Sequence, residues 1–195
     1  MMRIITGRAR GTHLYTLEGE ATRPTSERAK EAVFSMIQFE LAGRAVLDLF
    51  AGSGQMGLEA ISRGAASAVL VDASPKAVDI IKKNVAKTRF ERECTVLCAD
   101  YADILRARRP GLPEHFGLVV LDPPYAKRLV CPSLELLLKG NWLEDGAYIV
   151  CESAEEDIFA ENEALSSYFE VRRRAKYGVA TVTLLCYHKE DDHEQ

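Results

Sequence analysis

The sequence predicts an α/β fold, a mostly parallel and doubly wound sheet of seven strands with an antiparallel hairpin at its C-terminal end. Three observations carry that prediction. From Ala45 onward short apolar runs alternate with amphipathic helical stretches. A glycine-rich loop joins the first of these strands to its helix. The last two strand-like runs meet at Tyr177-Gly178 with no room for a helix between them. Alternating strands and helices imply parallel pairing with both faces covered, and a tight last connection implies an antiparallel strand at or near one edge.

Residues 3–15 read as two short strands around the turn Gly7–Gly11, followed by a polar connection over residues 18–24. Pro24-Thr25-Ser26-Glu27 opens a helix with Thr25 or Ser26 as its cap, and Ala29, Val33, Met36 and Ile37 recur at helical spacing. Strand 45–48 then leads through the glycine loop into helix 55–63, which Gly64 closes. Strand 68–72, helix 75–87, strand 95–99, a short helix near 102–107 and strand 118–121 continue the alternation. Helix 132–139, strand 148–151, a short acidic helical stretch and the strands 169–175 and 179–187 complete it. This divides the chain into a β extension over 1–24, one α/β domain over 25–189 and an acidic tail over 190–195 that is expected to be disordered.

A chain of 195 residues, 47% of them hydrophobic, can bury one sizeable core. Its longest apolar runs are far too short to span a bilayer, and no signal-peptide apolar region follows Met1, so a cytoplasmic protein is expected. The five cysteines show no C-x-x-C spacing, which points to reduced thiols and away from a metal site. A net charge of -4 argues against a nucleic-acid coat protein, but the charge is unevenly spread. Residues 1–30 carry six bases against three acids, whereas residues 152–163 carry six acids and no base. The acidic run reads as a solvated face.

Between Asp48 and Gly57 lies a literal G-x-G-x-x-G, and Asp72 follows Gly52 by 20 residues at the end of the next strand. Such a loop brings backbone N–H groups and a helix N-terminus to a nucleotide, with the acid on ribose hydroxyls, as in dinucleotide sites. Three features favour a nucleoside cofactor without a pyrophosphate. Asp48, one turn ahead of the glycines, would repel an anion and welcome a cationic amino group. Asp100, ending the third strand, is suited to accept from an adenine amino group. The chain also leaves little room for the substrate-binding part of an NAD enzyme.

"LDPPY" at 121–125 ends a strand on an acid, then stiffens the chain with two prolines. A strand-terminating turn explains the prolines and the tyrosine but not Asp122. Together, "DLFAGSG" (48–54), "VD" (71–72), "AD" (99–100) and "LDPPY" resemble the S-adenosylmethionine-dependent amino-methyltransferases of Rossmann-like, class I fold. "RIITGRARG", "TRPTSERAKEAVFSMI" (22–37) and "AKYGVATVTLL" are similar to the RsmD family, which modifies guanine N2 in 16S rRNA. D-P-P-Y by itself would equally suit adenine N6 or protein-glutamine methylation, and a non-catalytic assembly factor could keep the fold.

The resemblance implies a role for each residue. Asp122 and the Pro123 carbonyl would accept from the exocyclic amine, and Tyr125 would stack on the extruded base. Asp72 would hold the cofactor ribose, Gly52 and Gly54 would admit its amino-acid part, Asp100 and Tyr101 would flank its adenine, and Asp48 would face its ammonium. Arg8, Arg10, Arg23 and Arg28 are the expected RNA contacts, with Lys127 and Arg128 directly after the proline motif. The cluster Arg172–Arg174 with Lys176 reads instead as edge-strand protection. The overall acidity points to action on rRNA within a small-subunit assembly particle and not on naked RNA, and a monomer is expected.

Overall fold

The computed structural model describes residues 2–17 and 24–189. Arg23, most of the polar connection before the first helix and the acidic tail lie outside those residues. The described elements run α1 (Pro24–Met36), β1 (Ala45–Asp48), α2 (Gln55–Ser62), β2 (Ser67–Asp72), α3 (Pro75–Thr88), β3 (Cys94–Cys98), α4 (Tyr101–Arg106), β4 (Phe116–Leu121), α5 (Val130–Lys139), β5 (Leu143–Ser153), β6 (Phe169–Tyr177) and β7 (Ala180–Tyr187). One sheet holds all seven strands in the order β3-β2-β1-β4-β5-β7-β6. The first five pair in parallel, and β7 lies antiparallel between β5 and β6.

Burial on both faces explains why the central strands read as unbroken apolar runs. Every residue of β4 is buried, and its side chains alternate between two core layers. Val46, Leu70, Val120 and Val150 face one layer with α1, α2 and α3, while Leu47, Val69, Val119 and Ile149 face the other with α4 and α5. Each buried aliphatic side chain contributes about 1.5–3 kcal/mol relative to exposure. Helix α2 approaches the sheet closely at Gly57, where a Cβ would stand 2.2 Å from Leu70 Cδ2. Among the described residues no helix is long and apolar enough to cross a membrane. All five cysteines are unpaired; Cys131, Cys151 and Cys186 are buried and Cys98 is exposed.

The N-terminal hairpin has one bridge, Arg3 with His13, in place of two full strands. Backbone bonds such as Ile4 N–H to the Thr12 carbonyl and Leu14 N–H to the Met2 carbonyl close it, and other groups turn to the helices beside it. Glu59 of α2, wholly buried, accepts Ile5 N–H at 2.8 Å, Thr6 N–H at 3.1 Å and Arg63 Nε at 2.8 Å, with Lys30 Nζ 3.7 Å away. Ser62 accepts Ala9 N–H on its hydroxyl and Arg8 N–H on its carbonyl. Met2, Ile4 and Leu14 join the core layer of α1 and α2.

Two local expectations need correction. Helix α1 starts at Pro24, so Thr25 and Ser26 fall inside its first turn and not at its cap. The acidic stretch after residue 151 is not helical. Strand β5 runs on to Ser153, a turn follows in which the Ser153 hydroxyl donates to the Glu155 carbonyl, and a 3-10 turn forms only at Glu163–Tyr168. Buried Ile158 and Phe159 need the irregular path to reach the core. Strand β6 is the sheet edge, bent by a bulge between Val171 and Arg173, and its Arg172 and Lys176 are exposed in pairs with Glu170 and Glu156.

Candidate active site

Parallel strands end on one rim, and β1, β2, β3, β4 and β5 deliver Asp48, Asp72, Asp100, Asp122 and Glu152 to it. These residues line one cavity of about 570 Å³. In an open doubly wound sheet this rim, where the strand order reverses, is the place for a ligand. The order here reverses between β1 and β4.

The glycine loop forms the floor. Gly52 and Gly54 hold φ of 54° and 78°, in the left-handed region where a side chain is strained. The Asp72 carboxylate fixes the loop, accepting Gly52 N–H at 2.9 Å with one oxygen and Ser74 N–H at 2.8 Å with the other. Behind the loop Asn84 of α3, fully buried, donates to the Ser53 carbonyl at 2.8 Å. Met2 of the hairpin also lines the cavity and meets the Ser53 hydroxyl at 3.0 Å.

Asp48 is 2% exposed. Burial pushes its carboxyl up to about 7, and nearby Asp72 adds to this, while N–H groups of Gly57 and Phe50 pull the other way. A cation bound beside it would favour the charged form. Gln55, at the first position of α2, also lines the cavity, and its side-chain carbonyl is buried without a partner among the described residues. At the other side, Tyr101 lies 5.2 Å from Phe50, ring centroid to centroid, tilted by 40°. Asp100 caps α4 by accepting Ala102 N–H at 2.8 Å and is exposed at the rim.

The proline motif forms the opposite wall. Pro123 is buried, and Pro124 leads into a 3-10 turn at Tyr125–Lys127 in which Lys127 N–H takes the Pro124 carbonyl at 3.0 Å. The Pro123 carbonyl has no part in that turn. Tyr125, half-buried, donates its hydroxyl to Glu152. Arg128 reaches from the end of the turn to Glu155 and Glu161, at 2.8 and 3.5 Å.

Asp48, Gly52, Asp72, Asp100, Tyr101, Asp122, Pro123 and Tyr125 therefore share one cavity, whereas Gly54, though in the same loop, does not line it, and a Cβ there would meet Ile81 and Leu70. The predicted basic residues are more scattered. Arg8 lies at the other end of the sheet, where its guanidinium pairs with Glu93, just ahead of β3, and stands over Phe90. Arg10 belongs to the same turn, which docks on the C-terminal end of α2. Arg28 is exposed on α1. Sequence reasoning missed Glu152, Phe50, Gln55 and Asn84. Glu152 gave no signal in the sequence: only the β4–β5 register, in which it follows the partner of Leu121 as Asp122 follows Leu121 itself, sets it apart from the acids around it.

The family model described as Conserved hypothetical protein 95 matches residues 2–186. Ribosomal RNA small subunit methyltransferase D of Haemophilus influenzae is 34% identical over 156 residues, 80% of each chain. YlbH of Bacillus subtilis is 34% identical over 186 residues, 94% of this chain and 97% of that protein. The solved structure of yhhF from Escherichia coli is 30% identical with a TM-score of 0.80, covering 97% of this chain and 99% of that one. The sheet is thus that of the Rossmann-like methyltransferases, and the chain belongs to the RsmD family.

Proposed function

We propose that this protein methylates the exocyclic N2 amine of a guanine in small-subunit (16S) rRNA, with S-adenosylmethionine as cofactor. One observation carries the reading: a single cavity has a nucleoside-sized wall of acids and aromatic rings on one side and the Asp-Pro-Pro-Tyr turn on the other. The rRNA substrate is supported by the relatives named as small-subunit rRNA methyltransferases.

The cavity fits the cofactor on its own chemistry. Asp72, already anchored by two N–H groups, would take the ribose hydroxyls; Asp100, Tyr101 and Phe50 would flank the adenine; Asp48 and the unpartnered Gln55 carbonyl would face the ammonium. Gly52 and Gly54 would admit the amino-acid part. Bound there, the cofactor supplies an electrophilic methyl group on a sulfonium.

The rest falls to the chain's own residues. An exocyclic base amine is a poor nucleophile because its lone pair is delocalised into the ring. The Asp122 carboxylate and the Pro123 carbonyl would accept its two N–H bonds and localise that pair, on a turn the prolines hold rigid. Asp122 would then take the proton that the methylated amine must lose. Tyr125 would stack on the base, a contact contributing about 1–3 kcal/mol. Lys127, exposed where it lines the cavity, is the nearer candidate for phosphate contact; Arg28 would reach RNA lying over α1, and Arg8 and Arg10 would serve only RNA that extends to the opposite end of the sheet.

The test is transfer of labelled methyl to purified small subunits lacking the modification, followed by nucleoside analysis. The expected product is N2-methylguanosine, absent with Asp122→Ala. N6-methyladenosine would overturn the base assignment, and no label in RNA would overturn the substrate.

A further inference from the structure

The base is chosen by one feature of the cavity, on the reading just given that an exocyclic amine sits at Asp122. Leu121 and Cys151 are partners in the parallel register of β4 and β5, so Asp122 and Glu152 are the next residues on neighbouring strands, roughly 4.8 Å apart across the sheet. Both line the cavity. Glu152 differs from its acidic neighbours Glu155 and Glu161, which turn outward to Arg128. It is half-buried, and the Tyr125 hydroxyl holds one of its oxygens. A carboxylate has acceptor sites on both oxygens and no donor when ionised.

That arrangement reads a base edge. Beside the amine of guanine stands N1–H, a donor; beside the amine of adenine stands N1 with a bare lone pair. We propose that Glu152 is the specificity-determining residue of the site. It accepts guanine N1–H while Asp122 accepts the amine, and it repels the lone pair that adenine would present. Two adjacent acceptors match two adjacent donors on guanine and mismatch adenine. Tyr125 acts on this contact as a positioning residue, since its hydroxyl fixes the carboxylate while its ring faces the base.

The experiment uses small subunits reconstituted with rRNA that carries, at the mapped target, either guanosine or 2,6-diaminopurine riboside. Both offer the 2-amino group, but only guanosine has N1–H. Wild type should prefer guanosine in kcat/KM by about tenfold or more. Glu152→Gln keeps an oxygen for Tyr125 and turns an amide donor to the base, so the preference should shrink or invert. Calorimetric affinity for S-adenosylhomocysteine should stay within about twofold of wild type, a readout that general disruption of the fold would move. Tyr125→Phe, which keeps the ring and removes the hydroxyl, should also weaken the preference, and it keeps the proposal testable if the first variant folds poorly. Equal use of both nucleotides by wild type, or an unchanged preference in both variants, would overturn the role of Glu152 while leaving the methyltransferase reading intact. Failure of wild type to form N2-methylguanosine would overturn both.

Discussion

Asn84 and Tyr15 exchange two hydrogen bonds, Tyr15 N–H to the amide oxygen at 2.7 Å and the amide nitrogen to the Tyr15 carbonyl at 2.9 Å. The same amide nitrogen donates to Ser53 in the glycine loop. One buried side chain thereby ties the N-terminal hairpin to the floor of the cavity. Asn84→Ala would strand three backbone groups, which at about 1–3 kcal/mol each, partly relieved by water, should cost about 2–4 kcal/mol in urea unfolding. Affinity for S-adenosylhomocysteine should fall with it, because the loop loses its backing.

Gly7 and Gly11 bracket the hairpin turn with φ of 86° and 83°, but their surroundings differ. A Cβ on Gly7 would stand 1.8 Å from the Ser62 carbonyl oxygen, whereas nothing lies within 4 Å of one on Gly11. Gly11→Ala should therefore cost only the backbone strain, about 1–2 kcal/mol. Gly7→Ala should cost distinctly more and expose the 2–15 segment to proteolysis, since backbone must give way. Equal thermal midpoints for the two variants would contradict this docking.

Burial holds the Asp48 carboxyl at about 7, against an ordinary value of 3.8. A carboxyl raised in the folded state stabilises the protein at low pH, and that contribution is lost as pH rises through about 7. Asp48→Asn does not titrate, so its stability relative to wild type should improve from pH 5 to pH 8 by on the order of 3 kcal/mol. Cofactor affinity should show the opposite need. A cationic ligand favours the ionised carboxyl, so wild-type affinity should rise from pH 6 to pH 8 and the variant should show no such rise in calorimetry.

Lys127 lies at the cavity, and Arg8 at the other end of the sheet. RNA entering the cavity must cross the rim, so Lys127→Ala should raise KM for small subunits about threefold to tenfold and make its salt dependence shallower. Arg8→Ala, which removes an exposed pair with Glu93, should leave both KM within about twofold and stability within about 1 kcal/mol. Equal KM effects would extend the RNA path down to the hairpin turn.

What the sequence made legible follows from burial. Strands β1, β2 and β4 are covered on both faces, so their apolar runs admitted one interpretation, and the acids that end β1 and β2 and follow β4 stood out against them. Glu59 and Asn84 gave no such sign. Each sits in an amphipathic helix where a polar residue ordinarily faces water, and the hairpin folding back from a distant part of the chain supplies the backbone groups Ile5 and Thr6 N–H to Glu59 and both Tyr15 groups to Asn84. Glu152 was hidden by its neighbours. Six acids in twelve residues look like a solvated face, and only continuation of β5 to Ser153 turns one of them inward.

The place of β7 bears on how the protein is made. The strand synthesised last among those described, Ala180–Tyr187, is wholly buried and fills the gap between β5 and β6. A nascent chain that has emerged only as far as residue 179 carries all four aspartates of the rim but leaves the ladder edge of β5 open. Closure of the Glu152 wall must then wait for the ribosome to release the end of the hairpin. Until that moment the exposed edge is a target for chaperones and for pairing with other chains.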